Sequence, residues 1–242
     1  MRQEPEIGDG LKAMNRVIDP KEIARLIGEL ARWVDPEIFR LLPVWHPETA
    51  RKQALFKAGW QEVQTNNGKP KFEGNSKANA ALSRALGISK KARPNWSCCH
   101  IWGNDDASFS KGNSEVNDPK YYSCIANMVL LPNPLKAFTD SVPEVKSALR
   151  LAAFQLYGFL PQDRSAPTTE DTGEWLPEGW ERGMVNGICR INPRIKKSAQ
   201  SRANKIFDEF NNTAANYPHQ QVSRVMRYWS EKIPEFEFGE AS

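Results

Sequence analysis

Apolar residues recur at helical spacing near the start of the chain. One apolar stripe consists of Ile23, Leu26, Ile27, Leu30 and Val34. The dipeptide Asp19-Pro20 stands just before it, and Asp followed by Pro favours the start of a helix. The sequence therefore predicts a helix beginning at Pro20, with a second helix start at Asp35-Pro36.

Further helices are predicted in the middle and at the end of the chain. One covers residues 76–86, with Ser76 as its cap, and another runs from Pro143 to Tyr157 and ends at Gly158. The last part of the chain carries two more apolar faces, made by Ile195, Ala199, Ala203, Ile206 and Phe210, and by Val222, Val225, Met226 and Trp229.

Between these helices lie two short apolar runs that are typical of strands. The first is Trp96–Trp102, and the second is Tyr121–Leu131, which stops at Pro132. The segment 103–120 between them is rich in Gly, Asn, Asp and Ser, as loops are. The pattern predicts an α+β fold that is mainly α, with one embedded hairpin flanked by N- and C-terminal helices.

The change of pattern divides the chain into three predicted regions. Residues 1–95 form an N-terminal helical region, and residues 96–160 contain the two strands and the helix after them. Residues 161–242 form a linker followed by a helical region with a basic helix.

Composition adds the compartment and the class of partner. Hydrophobic residues are 40% and charged residues 26%, as in ordinary globular proteins. No apolar run is long enough to span a membrane, and the polar N-terminus is unlike a secretory signal, so we expect a cytoplasmic protein without membrane contact. Four cysteines without the spacing of a disulfide framework favour free thiols.

Positive charge is concentrated in two stretches, although the net charge is only +4. Lys90, Lys91 and Arg93 make the first cluster, and Arg194, Lys197 and Lys205 lie on one face of the basic helix. Clustered basic residues attract polyanions by releasing counterions. We therefore expect these residues to bind nucleic acid, with solvated basic faces as the alternative.

The order of strand, loop, strand and helix gives the sharpest functional signal. The residues Cys98-Cys99-His100-Ile101-Trp102 and Ala126-Asn127-Met128-Val129-Leu130-Leu131-Pro132 resemble the HNH (ββα-metal) endonucleases. The resemblance covers under a quarter of the chain. It implies an embedded ββα-metal unit that holds one divalent cation, with His100 as the general base and Asn127 positioning its ring.

The chemistry of the residues agrees with that implication. A neutral imidazole suits proton abstraction from water near pH 7. Such a base works only when a nearby polar group orients its ring. A divalent cation would balance the charge that develops on the phosphate.

The sequence departs from the family pattern at two positions. Cys99 stands where the family has Asp or His before the base, and Lys136 stands where it has His or Asn in the following helix. Cys99, Asn133 and Asp140 are the candidate metal ligands, and Lys136 is a candidate phosphate contact. We expect magnesium or manganese, with zinc as an alternative because a thiolate favours softer metals.

A structural zinc site is a second interpretation of the cysteines. Cys98, Cys99, His100 and Cys124 lie in the two predicted strands. However, adjacent strand residues point to opposite faces, and structural zinc sites prefer ligands spaced C-x-x-C. Cys98 and Cys124 are therefore interpreted as small core residues.

The leading prediction is a metal-dependent endonuclease that cuts DNA, of a restriction or phage-defence type. The first alternative is a non-catalytic nucleic-acid-binding protein on a degenerate HNH scaffold. The second is a protein-interaction module with an acidic partner. The sequence leaves open the recognition sequence, DNA versus RNA and the oligomeric state, for which a homodimer is one option.

Overall fold

The fold is assigned on a computed structural model, which describes residues 8–51, 65–66, 69–70, 75–103, 115–162, 164–170, 172, 176–211 and 217–237, without the side chains at positions 11, 20, 65, 66, 69, 70, 140 and 141. The helices are α1 (Gly10–Asn15), α2 (Pro20–Leu30), α3 (Pro36–Leu41), α4 (Ser76–Ala85), α5 (Pro119–Tyr122), α6 (Asn133–Ser141), α7 (Pro143–Tyr157), α8 (Pro193–Asn211) and α9 (His219–Lys232). The strands are β1 (Trp33–Val34), β2 (Thr65–Asn66), β3 (Lys69–Pro70), β4 (Trp96–His100), β5 (Met128–Pro132) and β6 (Ile188–Cys189).

The two Asp-Pro starts near the N-terminus are confirmed. The Asp19 carboxylate accepts a hydrogen bond from the Lys21 backbone N–H at 2.9 Å, and Asp35 accepts one from Glu37 N–H at 3.0 Å. Each bond satisfies a backbone donor that the first helical turn leaves without an intrahelical partner. The predicted stripe was too long by one residue, because Val34 lies in β1, which pairs in parallel with β6.

The other predicted helices are also present, with one cap corrected. Ser76 is the first residue of α4, and Asn75 occupies the cap position without a side-chain bond. The helix α7 ends at Gly158, whose φ of 61° is the left-handed conformation that glycine tolerates. The two C-terminal apolar faces belong to α8 and α9.

The central strands β4 and β5 form an antiparallel pair. Its register runs from Trp96 opposite Pro132 to His100 opposite Met128. The helix α6 begins directly after β5 and packs against both strands. The chain is therefore an α+β protein that is mainly α, as predicted.

The second predicted strand was too long. Residues 119–122 form the short helix α5, and Ile125–Asn127 form a 3₁₀ turn, so only Met128–Pro132 is a strand. The reason is a third Asp-Pro start, in which the Asp118 carboxylate accepts from Lys120 N–H at 2.9 Å. Asn127 consequently lies in the turn that leads into β5, not on the strand itself.

One hydrophobic cluster contains residues from all three predicted regions. Trp33 and Trp180, both completely buried, meet edge to face with ring centroids 6.0 Å apart. Within the described residues, no helix is both long and apolar enough to cross a membrane.

Candidate active site around His100

His100 ends β4 with its imidazole held by a backbone carbonyl. Its Nε2 lies 2.9 Å from the carbonyl oxygen of Tyr122, and the two rings stack with centroids 5.8 Å apart. A carbonyl oxygen can only accept a hydrogen bond, so Nε2 carries the proton. In the neutral ring, the Nδ1 lone pair is therefore the basic one.

The Asn127 amide joins the two segments that hold His100. Its Oδ1 accepts from the Trp102 N–H at 2.7 Å, and its Nδ2 donates to the carbonyls of Trp102 (2.9 Å) and Tyr121 (3.1 Å). Trp102 lies two residues after His100, and Tyr121 directly precedes the residue whose carbonyl holds the ring. Asn127 is completely buried, so these bonds are made away from water.

The surroundings of His100 keep its imidazole neutral. Burial lowers the pKa of His100 to about 4, and the positive charges of Arg51 and Lys146 act in the same direction, against the bond to Tyr122. The residue as a whole is half-buried. The ring is therefore neutral near pH 7, and the bond to Tyr122 fixes its orientation.

Of the three candidate metal ligands, the two whose side chains the structure describes are not brought together at His100. Cys99 is 3% exposed, and its Sγ lies 3.9 Å from the Ser97 carbonyl. Asn133 accepts a bond from Ser97 Oγ at 2.6 Å. Ser97 is three residues from His100, about 10 Å along a strand. The side chain of Asp140 lies outside what the structure describes.

Lys136 is exposed on α6, one turn after Asn133. Its charge acts on the Cys98 thiol, opposing the rise in the pKa of Cys98 that burial causes. Among the described residues, no three His, Cys, Asp or Glu side chains form a group that could hold a metal ion. Burial also raises the pKa of Cys124 to about 12.

Two arginines lie close to the ring of Trp102, two residues after His100. The Arg150 guanidinium lies 4.2 Å from the centre of the Trp102 ring, and that of Arg164 lies 5.6 Å away. Arg164 is also paired with Glu115 at 2.6 Å. Lys146 and Arg150 lie one turn apart on α7, so this helix turns two cations towards the segment that follows the base.

The first predicted basic cluster divides into exposed and buried residues. Lys90 and Lys91 are exposed on a 3₁₀ turn. Arg93 is only 4% exposed, and its guanidinium donates to Ser83 Oγ at 2.9 Å and to Asn79 Oδ1 at 3.2 Å. We therefore correct the assignment of Arg93, which ties α4 to the start of β4.

The second cluster is exposed on α8, where Arg194, Lys197 and Lys205 face solvent. It adjoins the first cluster, because a Cβ on Gly87, just before Lys90, would lie 2.8 Å from Ile195 of α8. We call Lys90, Lys91, Arg194, Lys197 and Lys205 the α8 surface. Within the described residues, no hydrogen bond or ion pair links this surface to His100.

Sequence reasoning missed Arg51, Lys146 and the Tyr122 carbonyl. A backbone carbonyl leaves no signal in the sequence, because every residue has one. Lys146 did leave a signal, since it stands among the buried residues Val145, Ala148 and Leu149 of an apolar helix. A lysine on such a face is rarely buried without a role.

Comparisons of the chain with protein-family models, with curated proteins and with solved structures found no match.

Proposed function

We propose that the chain is an endonuclease that hydrolyses phosphodiester bonds in DNA, with His100 as the general base. The observation that carries the proposal is the bond between His100 Nε2 and the Tyr122 carbonyl. It leaves Nδ1 free to take a proton.

In the proposed reaction, Nδ1 of His100 removes a proton from a water molecule. The hydroxide attacks phosphorus, the bond to the leaving sugar oxygen breaks, and that oxygen takes a proton from solvent. The products are a phosphomonoester and a hydroxyl group. A positioned general base contributes about 10²–10⁴-fold to such a rate.

The nearby positive charges support an anionic substrate. Arg51 and Lys146 are close enough to His100 to lower the pKa of its ring. The same charges would stabilise a phosphate brought to Nδ1 and the extra charge of the transition state. They replace Lys136 as the phosphate contacts in this proposal.

The requirement for magnesium or manganese rests on the resemblance to the HNH family alone. Cys99 is buried beside Ser97, and Asn133 is bonded at the far end of the strand pair. The described residues therefore do not fit a metal centre at His100, and no step is assigned to a metal ion.

A nicking assay on supercoiled plasmid tests the proposal, with the purified protein in magnesium, manganese or EDTA, beside His100→Ala. We expect nicking by the parent protein and its loss in the variant. Nicking by His100→Ala at the parental rate would overturn the assignment of the base. No nicking by the parent under any condition would overturn the nuclease proposal.

The second candidate is a non-catalytic DNA-binding protein on the same strand pair and helix. The specific observation in its favour is that Cys99 is 3% exposed and no metal-binding group forms among the described residues. DNA binding without cleavage in any metal would support it. In that case His100 and Asn127 would only position the segment 101–103.

A further inference from the structure

A groove lies along one face of α9, beside Lys120 of α5. It has a volume of about 530 Å³ and adjoins a second depression of about 570 Å³, with Gln220 and Arg224 shared between the two. We call it the α9 groove; its charged and aromatic lining residues are Lys120, Arg224, Arg227, Tyr228 and Glu231.

The α9 groove carries an excess of positive charge. Lys120, Arg224 and Arg227 face one acid in the lining, Glu231. Lys120 is partly balanced by Asp118, whose carboxylate lies 3.4 Å from its ammonium group. When Asp118 and Glu231 are both counted, the net charge of the groove is still positive.

Arg224 and Arg227 are exposed and make no hydrogen bond or ion pair within the described part of the chain. They lie one turn apart on α9, so their guanidinium groups can meet the same stretch of a ligand. The opposite face of the helix is fixed in the core by Val222, Val225, Met226 and Trp229. A rigid helix thus presents two unpaired guanidinium groups, which bind phosphates well.

The groove is joined to the proposed base through α5. Trp229 of α9 donates from Nε1 to the Lys120 carbonyl at 3.1 Å, and the Tyr121 hydroxyl donates to that of Tyr228 at 3.1 Å. The next residue, Tyr122, supplies the carbonyl that holds His100. Three consecutive residues therefore connect the groove to the ring.

Two lysine side chains make cation–π contacts with Tyr228, the aromatic residue that lines the groove. The ammonium groups of Lys120 and Lys232 lie 4.7 Å and 5.2 Å from the centre of the Tyr228 ring. Burial raises the pKa of Tyr228, so the phenol stays neutral and adds no negative charge. The positive charge of the groove is therefore not offset by a phenolate beside it.

We infer that the α9 groove binds the phosphate backbone of the DNA that the chain cuts. The inference rests on the proposed function for DNA as the substrate. Arg224 and Arg227 each contact a phosphate of that backbone, and α5 lies between the groove and the segment that holds His100.

The test measures affinity for a fluorescent DNA duplex over a series of salt concentrations, in EDTA so that the DNA stays intact. The variant Arg224→Gln/Arg227→Gln should bind on the order of 10-fold more weakly at 0.15 M salt. Its salt dependence should fall by about 1.8 in log–log slope, about 0.9 for each phosphate that the variant no longer neutralises. The parental slope in this variant would overturn the inference.

Two further variants sharpen the test. Glu231→Gln removes the acid from the groove and should bind DNA more tightly than the parent protein. Arg16→Gln/Arg84→Gln removes the same charge from exposed arginines outside the groove and should keep the parental slope. If the salt slope of this control decreased as much as that of the α9 variant, the effect would come from net charge alone and the inference would be overturned.

A variant of the α8 surface, Arg194→Gln/Lys197→Gln, separates the two basic surfaces. If it alone lowers the salt slope, the DNA backbone lies on α8 and the inference is wrong. Binding in EDTA is independent of cleavage. An α9-dependent slope without nicking therefore supports the groove and overturns only the nuclease proposal.

Discussion

His46 and His100 are both held inside the fold, but different partners hold their rings. The Nδ1 of His46 lies 3.1 Å from the Glu48 carboxylate, which also accepts from Arg202 at 2.8 Å. His100 is bonded through Nε2 to a neutral carbonyl instead. Burial lowers the pKa of both rings, so both are neutral near pH 7.

The two rings differ in which nitrogen carries the basic lone pair and in the groups that surround the ring. At His46 the Glu48 carboxylate accepts a hydrogen bond from Nδ1–H, and the residue is 5% exposed beside the ion pair of Glu48 and Arg202. At His100 the basic nitrogen is Nδ1, and the positive charges of Arg51 and Lys146 act on the ring. The same residue type therefore connects parts of the fold in one region, and in the other it is the residue that we propose as the general base.

The region around His46 links distant parts of the chain. Arg202 of α8 is 6% exposed, donates to the Trp45 carbonyl at 2.7 Å and pairs with both Glu48 and Glu209. The pKa of Glu48 is lowered, because the bond from His46 and the charge of Arg202 outweigh the effect of burial. This network contributes to stability and has no evident part in cleavage.

The largest effect is expected from His100→Gln. Glutamine can still donate to the Tyr122 carbonyl but cannot act as a base, so the cleavage rate should fall about 10²–10⁴-fold. A single-turnover assay on a DNA duplex, scaled to the folded fraction, measures it. His46→Gln is the matched control, and an equal loss of rate in the control would break the distinction between the two histidines.

The next largest effect is expected at Arg202. Arg202→Met leaves Glu48 as an unpaired buried charge, which should lower the free energy of unfolding by about 3–5 kcal/mol. Urea unfolding measures this value. Lys205→Met, in an exposed pair with Glu209 on the same helix, should change it by less than about 0.5 kcal/mol. Similar losses in both variants would contradict the account of the buried network.

Asn127→Ala should lower both stability and activity. It leaves the Trp102 N–H and the carbonyls of Trp102 and Tyr121 without their partner, at a cost of about 2–4 kcal/mol. Because the same groups position the His100 ring, the cleavage rate of the folded protein should fall as well. Thermal unfolding and single-turnover cleavage test the two parts. A folded variant with the parental rate would show that Asn127 does not position the base.

The sequence predicted much of this site from local signals. Asp-Pro pairs and glycines locate most helix ends, and the order of strand, loop and strand brought out His100 and Asn127. Asp118-Pro119 is also an Asp-Pro helix start, and the predicted second strand was too long because it ran through the helix that begins there. Arg93 was misassigned because a basic residue in a charged run carries no mark of burial.

Other parts of the site depend on packing between distant segments. The Tyr122 carbonyl reaches His100 where the amide of Asn127 bonds to the carbonyls of Trp102 and Tyr121 and so holds the two segments together. Arg51 precedes the central strand pair in the sequence, and Lys146 follows it. No local pattern predicts such contacts, since they arise when the helices pack on one core.

The smallest effect is expected in the pH dependence of stability. The pKa of His100 in the folded protein, about 4, is below the unfolded value near 6.5, so the unfolded state binds more protons as the pH falls. Between pH 7.5 and 5.5 this histidine should cost about 1 kcal/mol of stability. His46 acts in the same direction.

Urea unfolding at both pH values, with the parent protein and with His100→Gln and His46→Gln, separates these two contributions. Each variant should lose less stability on acidification than the parent protein. A parental loss in His100→Gln would mean that His100 titrates normally in the folded state.

The most direct test of the central claim is to observe the two ring tautomers by NMR. Long-range ¹H–¹⁵N correlations of the protein labelled at histidine distinguish a proton on Nδ1 from one on Nε2, and His46→Gln and His100→Gln assign the signals. At pH 7 we predict a neutral His100 with its proton on Nε2, and His46 with its proton on Nδ1. A proton on Nδ1 of His100 would contradict its assignment as the base, and a midpoint of titration near 6.5 would contradict the lowered pKa that burial gives this ring.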